Sequence, residues 1–296
     1  MTCCVAALAD NARTIILVSD RQIGLRMIST DPETVKARQV HPRWWLMYAG
    51  DDISPIFNIA DAIQEALKEL SGGQAAIDNN ATTIPSISDV EKKVSECVQN
   101  ERQAEVEAQY LRPRGWTFDT FQRQAPHLPK KLVTSVVNEV NSHDMPISLL
   151  LAGFDRLGYG YLFTVYGTSM YPRRHDNPGY TAIGSGSEAA QYWMGYRDIG
   201  YLSGSREVLY SAVEGKYFAE LSLGVGEYTD VHILRADKPV LRLSDDLIDK
   251  QIIEPILKRM APRWISDAFR KRLNTIEVLQ DLPLLKLDKE PKPAAT

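Results

Sequence analysis

Thr2 stands directly behind the initiator methionine. A methionine before so small a residue is generally removed, which would leave Thr2 with a free α-amine beside its own hydroxyl. Such an amine titrates near about 7.7–8.0, so part of it is neutral at cell pH. A neutral amine can take the hydroxyl proton, and that pairing activates a threonine as a nucleophile. Asp20 follows 18 residues after Thr2, Lys36 another 16 on, and Gly50 another 14 on. A lysine near the amine would disfavour its protonation and stabilise developing negative charge, and an aspartate would orient and balance that lysine. A glycine at a strand-to-helix turn, as Gly50 is placed, lets a backbone N–H serve as an oxyanion donor. Singly, Asp20 and Lys36 read more simply as solvated loop charges and Gly50 as a turn residue.

Other chemistry has less behind it. Cys3 or Cys4 as nucleophile would need cleavage after Thr2 or Cys3, which nothing in the sequence suggests. The five histidines (His41, His127, His143, His175, His232) are scattered and form no metal signature, so neither metal nor cofactor is expected. The run Gly184-Ser185-Gly186-Ser187 lacks the Gly-Lys-Ser/Thr ending of a phosphate loop.

The elements that would position Thr2 begin with a buried hairpin. Cys3–Ala9 and Thr14–Ser19 are strands about an Asp10–Arg13 turn. Asp20–Glu33 is polar, and Trp44–Ala49 is the next strand. Apolar residues at helical spacing over Ile53–Leu70 predict a helix. Ser71–Ser88 reads as a loop, Val90–Tyr110 as a charged helix, Arg112–Pro129 as mixed, and Pro129–Asn141 as a short helix. The second half gives strands at Ile147–Phe154, Tyr159–Tyr166, Tyr180–Ile183 and Tyr228–Arg235, with helices at Glu188–Tyr196 and Ser205–Leu221. This order suits an α+β chain with two layers of sheet and helices on both outer faces. One domain over 1–287 is expected, with an insertion at about 71–146, an extension from about 236 and a disordered tail at 288–296.

Composition narrows the class. The 296 residues carry 34 basic and 38 acidic side chains, a net charge of −4. That balance argues against a dedicated nucleic-acid binder, which needs a basic stripe. The longest apolar runs fall well short of the roughly 20 residues a bilayer span requires. No basic segment or long apolar run opens the chain, and the three cysteines make an odd count. A reducing, cytoplasmic compartment is therefore expected.

Taken together, several motifs resemble one family. Met1-Thr2-x-x-Val5-Ala6, Val18-Ser19-Asp20-Arg21, Thr34-Val35-Lys36 and Tyr48-Ala49-Gly50-Asp51 are similar to the start of proteasome β-subunits and the bacterial HslV peptidase. Leu151-Ala152-Gly153-Phe154-Asp155 with Gly158, and Ala182 to Ala190 around Gly184-Ser185-Gly186, continue the likeness in order over roughly residues 2–67 and 147–235. The resemblance implies an N-terminal nucleophile hydrolase with a four-layer αββα sandwich. It implies that Thr2 is the nucleophile, Asp20 and Lys36 the charged pair beside it, Gly50 the oxyanion donor, and Ser185 the hydroxyl that holds the amine. Tyr48 and Asp52 fall near positions that line the substrate pocket. A homo-oligomeric ring or related assembly acting on peptide or other amide substrates would follow. Departures mark a divergent member. The stretch Glu220-Leu221-Ser222-Leu223-Gly224-Val225-Gly226 does not keep the family's Asp and Ser, leaving Ser222 or Glu220 as candidate replacements. A non-catalytic structural or binding subunit, and a small-molecule amidase or acylase, stay open as alternatives.

Overall fold

Strand β1 (Cys4–Ala9) and strand β2 (Thr14–Asp20) are buried at every residue, and they read as continuous apolar runs because both faces are covered. They belong to a computed structural model that describes residues 2–21, 23–25, 28–30, 36–50, 54–73, 84–222, 224–244, 247–253, 271, 273–275 and 279. The expected tail and the pocket candidate Asp52 lie outside the described residues. The fold is α+β, in two compact units: Met1–Asp51, Ser148–Thr164 and Arg173–Thr296 form the first, Asp52–Ile147 and Val165–Pro172 the second.

The first unit holds a short ribbon of β3 (Ile23–Leu25) and β4 (Ile28–Thr30), together with β5 (Ala37–His41) and β6 (Trp44–Gly50). It continues with β7 (Ile147–Phe154) from Ser148 on, β8 (Gly160–Tyr166) as far as Thr164, β9 (Arg173–Arg174), β10 (Tyr180–Ile183), β11 (Thr229–Arg235) and β12 (Lys238–Arg242). One five-stranded sheet runs β10-β1-β2-β11-β12 with antiparallel neighbours, and the other runs β5-β6-β7-β8-β9. The two sheets share a core. Cys4, Ala6, Leu8, Ile15 and Leu17 of the first pack with Met47, Ala49, Leu150, Ala152 and Leu162 of the second. Each such side chain contributes on the order of 1–3 kcal/mol through its burial.

The alternate residues of β1 and β2, among them Val5, Ala7, Ile16 and Val18, face Ala190, Met194, Val208, Leu209, Ala212 and Val213. Those belong to the Ser187–Tyr196 and Ser205–Ala219 helices. The turn between β1 and β2 puts Asp10, Asn11 and Ala12 at positive φ, a conformation that Asp and Asn tolerate well. Asp10 also accepts from Ser205 N at 3.0 Å, supplying an anion where that helix starts. In the second sheet Gly153 is required, because a Cβ there would stand 2.3 Å from the Trp44 ring.

Part of the expected C-terminal extension folds onto this unit. β12 adds an edge strand, and Leu243, Ile248, Ile252, Leu273 and Leu279 join the helix-side core. Arg206 fastens it by donating to Asn274 Oδ1 at 2.8 Å and to the Leu279 carbonyl at 2.6 Å.

The second unit is helical. α1 (Ser54–Leu70) buries Ile56, Ile59, Ala60, Ile63 and Leu67 at the predicted spacing. α2 (Ile87–Val106) is capped by Ser86, whose hydroxyl accepts from Asp89 N, and runs into a π-helical turn over Glu107–Leu111. α3 (Phe118–Gln124) starts at a Thr117–Thr120 capping box, inside the stretch read as mixed, and α4 (Lys130–Ser142) follows. Leu111, Phe121 and Val136 form its small core with Trp116. The first unit's helices are then α5 (Ser187–Tyr196) and α6 (Ser205–Ala219). No described helix is long and apolar enough to cross a membrane.

Candidate active site

The β1–β2 register opposes Cys4 to Ser19 and continues through a hydrogen bond from Asp20 N to the Cys3 carbonyl at 3.1 Å. Hairpin pairing alone therefore brings Asp20 beside Thr2. Lys36 immediately precedes β5, whose Ala37 is anchored in the core between the sheets. Ser185 follows β10, whose Ile183 pairs with Cys4. Three strand ends thus converge on residue 2.

Thr2 Oγ1 donates to Asp20 Oδ1 at 2.5 Å and accepts from Lys36 Nζ. Lys36 Nζ also meets Asp20 Oδ1 at 2.9 Å, and Cys3 N donates to the same oxygen at 2.8 Å. Gly226 N occupies the other oxygen, Asp20 Oδ2, at 3.1 Å. Thr2, Asp20 and Lys36 are 3%, 0% and 3% exposed, so the solvated-loop alternative for the two charges does not hold. An ion pair this deep is tolerated only where further hydrogen bonds satisfy its remaining capacity, and here they converge on the carboxylate. The arrangement holds a cation against a hydroxyl oxygen, where it favours the oxygen as a developing alkoxide.

The other side of Thr2 is shaped by the Gly-Ser-Gly run. Thr2 N donates to Ser185 Oγ at 3.2 Å, while Ser185 Oγ and Gly186 N both donate to the Thr2 carbonyl, at 3.3 and 3.2 Å. Gly184 has φ +92°, and a Cβ there would lie 2.2 Å from Thr2 O and 2.7 Å from Thr2 Cγ2. Only glycine allows that approach.

The remaining candidates lie on β6. Gly50 ends the strand half-buried, beyond the last β5–β6 pair, Ala37↔Met47. Tyr48 is buried, and its carbonyl accepts from Cys4 Sγ at 3.5 Å, which sets this stretch of β6 against β1. Burial pushes the Tyr48 phenol up, aided by Cys4 and opposed by Arg38, so it stays protonated at neutral pH. Thr2, Asp20, Lys36 and Ser185 are therefore in direct contact, while Tyr48 and Gly50 share a neighbouring strand.

The cysteines are free and buried, and burial first of all pushes both N-terminal thiols up, Cys4 to about 12 and Cys3 further. Neither offers a thiolate near neutral pH. Among the described residues no group of three or more His, Cys, Asp or Glu side chains is placed to hold a metal.

Two features were not anticipated from sequence. Gly226 supplies a backbone donor to Asp20, which no residue type announces. Lys216 lies fully enclosed behind it, and the signal available was a Lys and a Glu four apart at the end of a helix. Arg21, directly after Asp20, donates to the buried Asp230 at 2.8 Å and so fastens the end of β2 to β11. No protein-family model matches the chain, and neither does any curated protein.

Proposed function

We propose that this chain is an N-terminal threonine hydrolase of the proteasome-like kind, built as a four-layer αββα sandwich and cleaving peptide or other amide bonds. One observation carries the reading: Thr2 Oγ1 sits between Lys36 Nζ and Asp20 Oδ1 while Thr2 N faces the Ser185 hydroxyl. Once Met1 is removed, the neutral Thr2 amine takes the Oγ1 proton, directly or through one water, and Oγ1 attacks the amide carbonyl. Lys36 stabilises the alkoxide and Asp20 fixes the lysine. Gly50 N–H is assigned to the oxyanion. The ammonium then gives its proton to the leaving amine, and water, deprotonated by the same amine, hydrolyses the ester to restore Thr2. Ser185 keeps the amine aimed at Oγ1 throughout.

The reading includes a homo-oligomeric assembly and a reducing compartment, the latter consistent with three free cysteines. Its test is the pair Thr2→Ala and Thr2→Ser in an amide-hydrolysis assay. The alanine variant should fold and lose turnover, and the serine variant should keep part of it. Full turnover by Thr2→Ala would end the assignment.

A further inference from the structure

Lys216 is a buried cation that the proposed chemistry does not use. It is fully enclosed on α6, the helix that also gives Val208, Leu209, Ala212 and Val213 to the apolar core. An ammonium has three donors. Lys216 Nζ reaches Glu220 Oε1 at 2.6 Å, the Gly226 carbonyl at 2.7 Å and the Glu227 carbonyl at 2.9 Å. Two of these three acceptors lie in the segment whose Gly226 N–H meets Asp20 Oδ2 at 3.1 Å. The same segment is wedged against the Ser185 run, for a Cβ on Gly186 would stand 2.8 Å from Ala219 Cβ and 2.9 Å from Val225 Cγ2. Burial pushes the Glu220 carboxyl up, Lys216 draws it down, and Glu227 and Asp20 add to the rise, so this cluster feels the charge at the site. A buried ion pair contributes little stability over apolar residues of like volume, so stability alone gives no reason for a lysine here.

We propose that Lys216, braced by Glu220, is a positioning residue: it clamps residues 224–227 so that Gly226 N–H holds Asp20 Oδ2. Asp20 Oδ1 is then left aimed at Thr2 Oγ1, Lys36 Nζ and Cys3 N. Without the Gly226 N–H, the carboxylate loses the contact that fixes which oxygen faces away from Thr2. The catalytic consequence rests on the reading of Thr2 as nucleophile, whereas the clamp itself does not.

The test uses full-length Lys216→Met and Glu220→Gln, with Lys93→Met, on an exposed ion pair of α2, as the control. Hydrogen exchange of peptides spanning 224–229 reads the clamp. The rate constant for modification of Thr2 by a peptide epoxyketone reads its effect on the site. Both are measured well below each variant's unfolding temperature, where a loss of stability alone leaves the rate constant unmoved. Lys216→Met is expected to exchange faster at 224–229 and to lose about tenfold or more in labelling rate. Glu220→Gln should move both in the same direction by less, and Lys93→Met should move neither. A folded Lys216→Met with wild-type exchange and labelling overturns the proposal. If that variant does not fold, wild-type behaviour in Glu220→Gln overturns it. An unlabelled wild-type protein overturns the Thr2 reading and the catalytic role of Lys216 with it, while faster exchange in Lys216→Met would still establish the clamp.

Discussion

Replacing Gly184 with alanine should damage the site and the fold together, by an amount the geometry sets. At φ +92° an alanine pays roughly 1–2 kcal/mol for its backbone conformation alone. Its Cβ would also stand 2.2 Å from Thr2 O and 2.8 Å from Thr2 C, atoms of the backbone that cannot swing aside as a flexible side chain can. Relief requires Thr2 or the 184–186 segment to move, and overpacking of this kind costs about 1–3 kcal/mol. Gly115 isolates the first contribution, since it has φ +79° and nothing within 4 Å of an added Cβ. Gly115→Ala should therefore lower Tm by a few degrees, and Gly184→Ala by about 5–15 °C, at about 2–4 °C per kcal/mol. The displaced Thr2 should also lose on the order of 100-fold in reaction with a peptide epoxyketone, as about 1 Å of misplacement can. Scanning calorimetry and labelling kinetics on both variants make the comparison. Equal melting shifts, with wild-type labelling in Gly184→Ala, would refute the close approach of Gly184 to Thr2.

The buried histidines give the fold a pH dependence. Burial brings both imidazoles down to about 4, with Arg43 adding to the fall at His41, and with Asp230 opposing it and Arg242 adding a smaller push at His232. The unfolded chain takes up those protons near its ordinary value of about 6.5 and the folded chain does not. Stability is therefore full above that value, falls as pH drops toward 4 by up to about 3 kcal/mol per histidine, and levels off below. Denaturant unfolding across that range should show the slope, and His232→Asn should remove about half of it. Burial pushes the Asp230 carboxyl up, but hydrogen bonds from Arg21 and Arg242 outweigh it and hold it below its ordinary value, so it stays charged through this window. Arg197→Met should cost about 3–5 kcal/mol in denaturant unfolding, because it removes the cation that holds Glu214 at 2.6 and 2.5 Å and leaves that fully buried carboxylate to the Tyr210 hydroxyl at 3.0 Å. A loss under 1 kcal/mol would contradict that accounting.

The hairpin that places Asp20 beside Thr2 was legible because both strands are continuous apolar runs about an Asp-Asn turn, and the register follows from the turn's position. Tyr180–Ile183 and Ile147–Phe154 came out at their observed limits for the same reason. β5 was missed because Arg38 and Gln39 break the alternation, and β12 because Lys238-Pro239 opens an exposed edge strand. α3 hides between Pro113 and Pro126, with few apolar residues to show a period. At the site, residue types and spacing named Asp20 and Lys36 but not their burial. The contact of Ser185 with Thr2 spans 183 positions and depends on β10 pairing with β1, for which no local pattern exists. The role of Lys216 has no signal in the Ser205–Leu221 helix pattern, because periodicity reports which face is buried and says nothing of a cation turned toward a loop.

Whether Thr2 is an N-terminal nucleophile is decided by expressing the chain with Met1 as its first residue, treating it with a peptide epoxyketone, and mapping the product by mass spectrometry. That warhead closes a ring on a hydroxyl and a free amine of the same residue, so it reports both halves of the proposed nucleophile at once. The expected product is a chain lacking Met1 with a single adduct on Thr2, lost in Thr2→Ala and strongly slowed in Lys36→Met. A chain that keeps Met1, or a processed chain that carries no adduct on Thr2, would contradict the assignment.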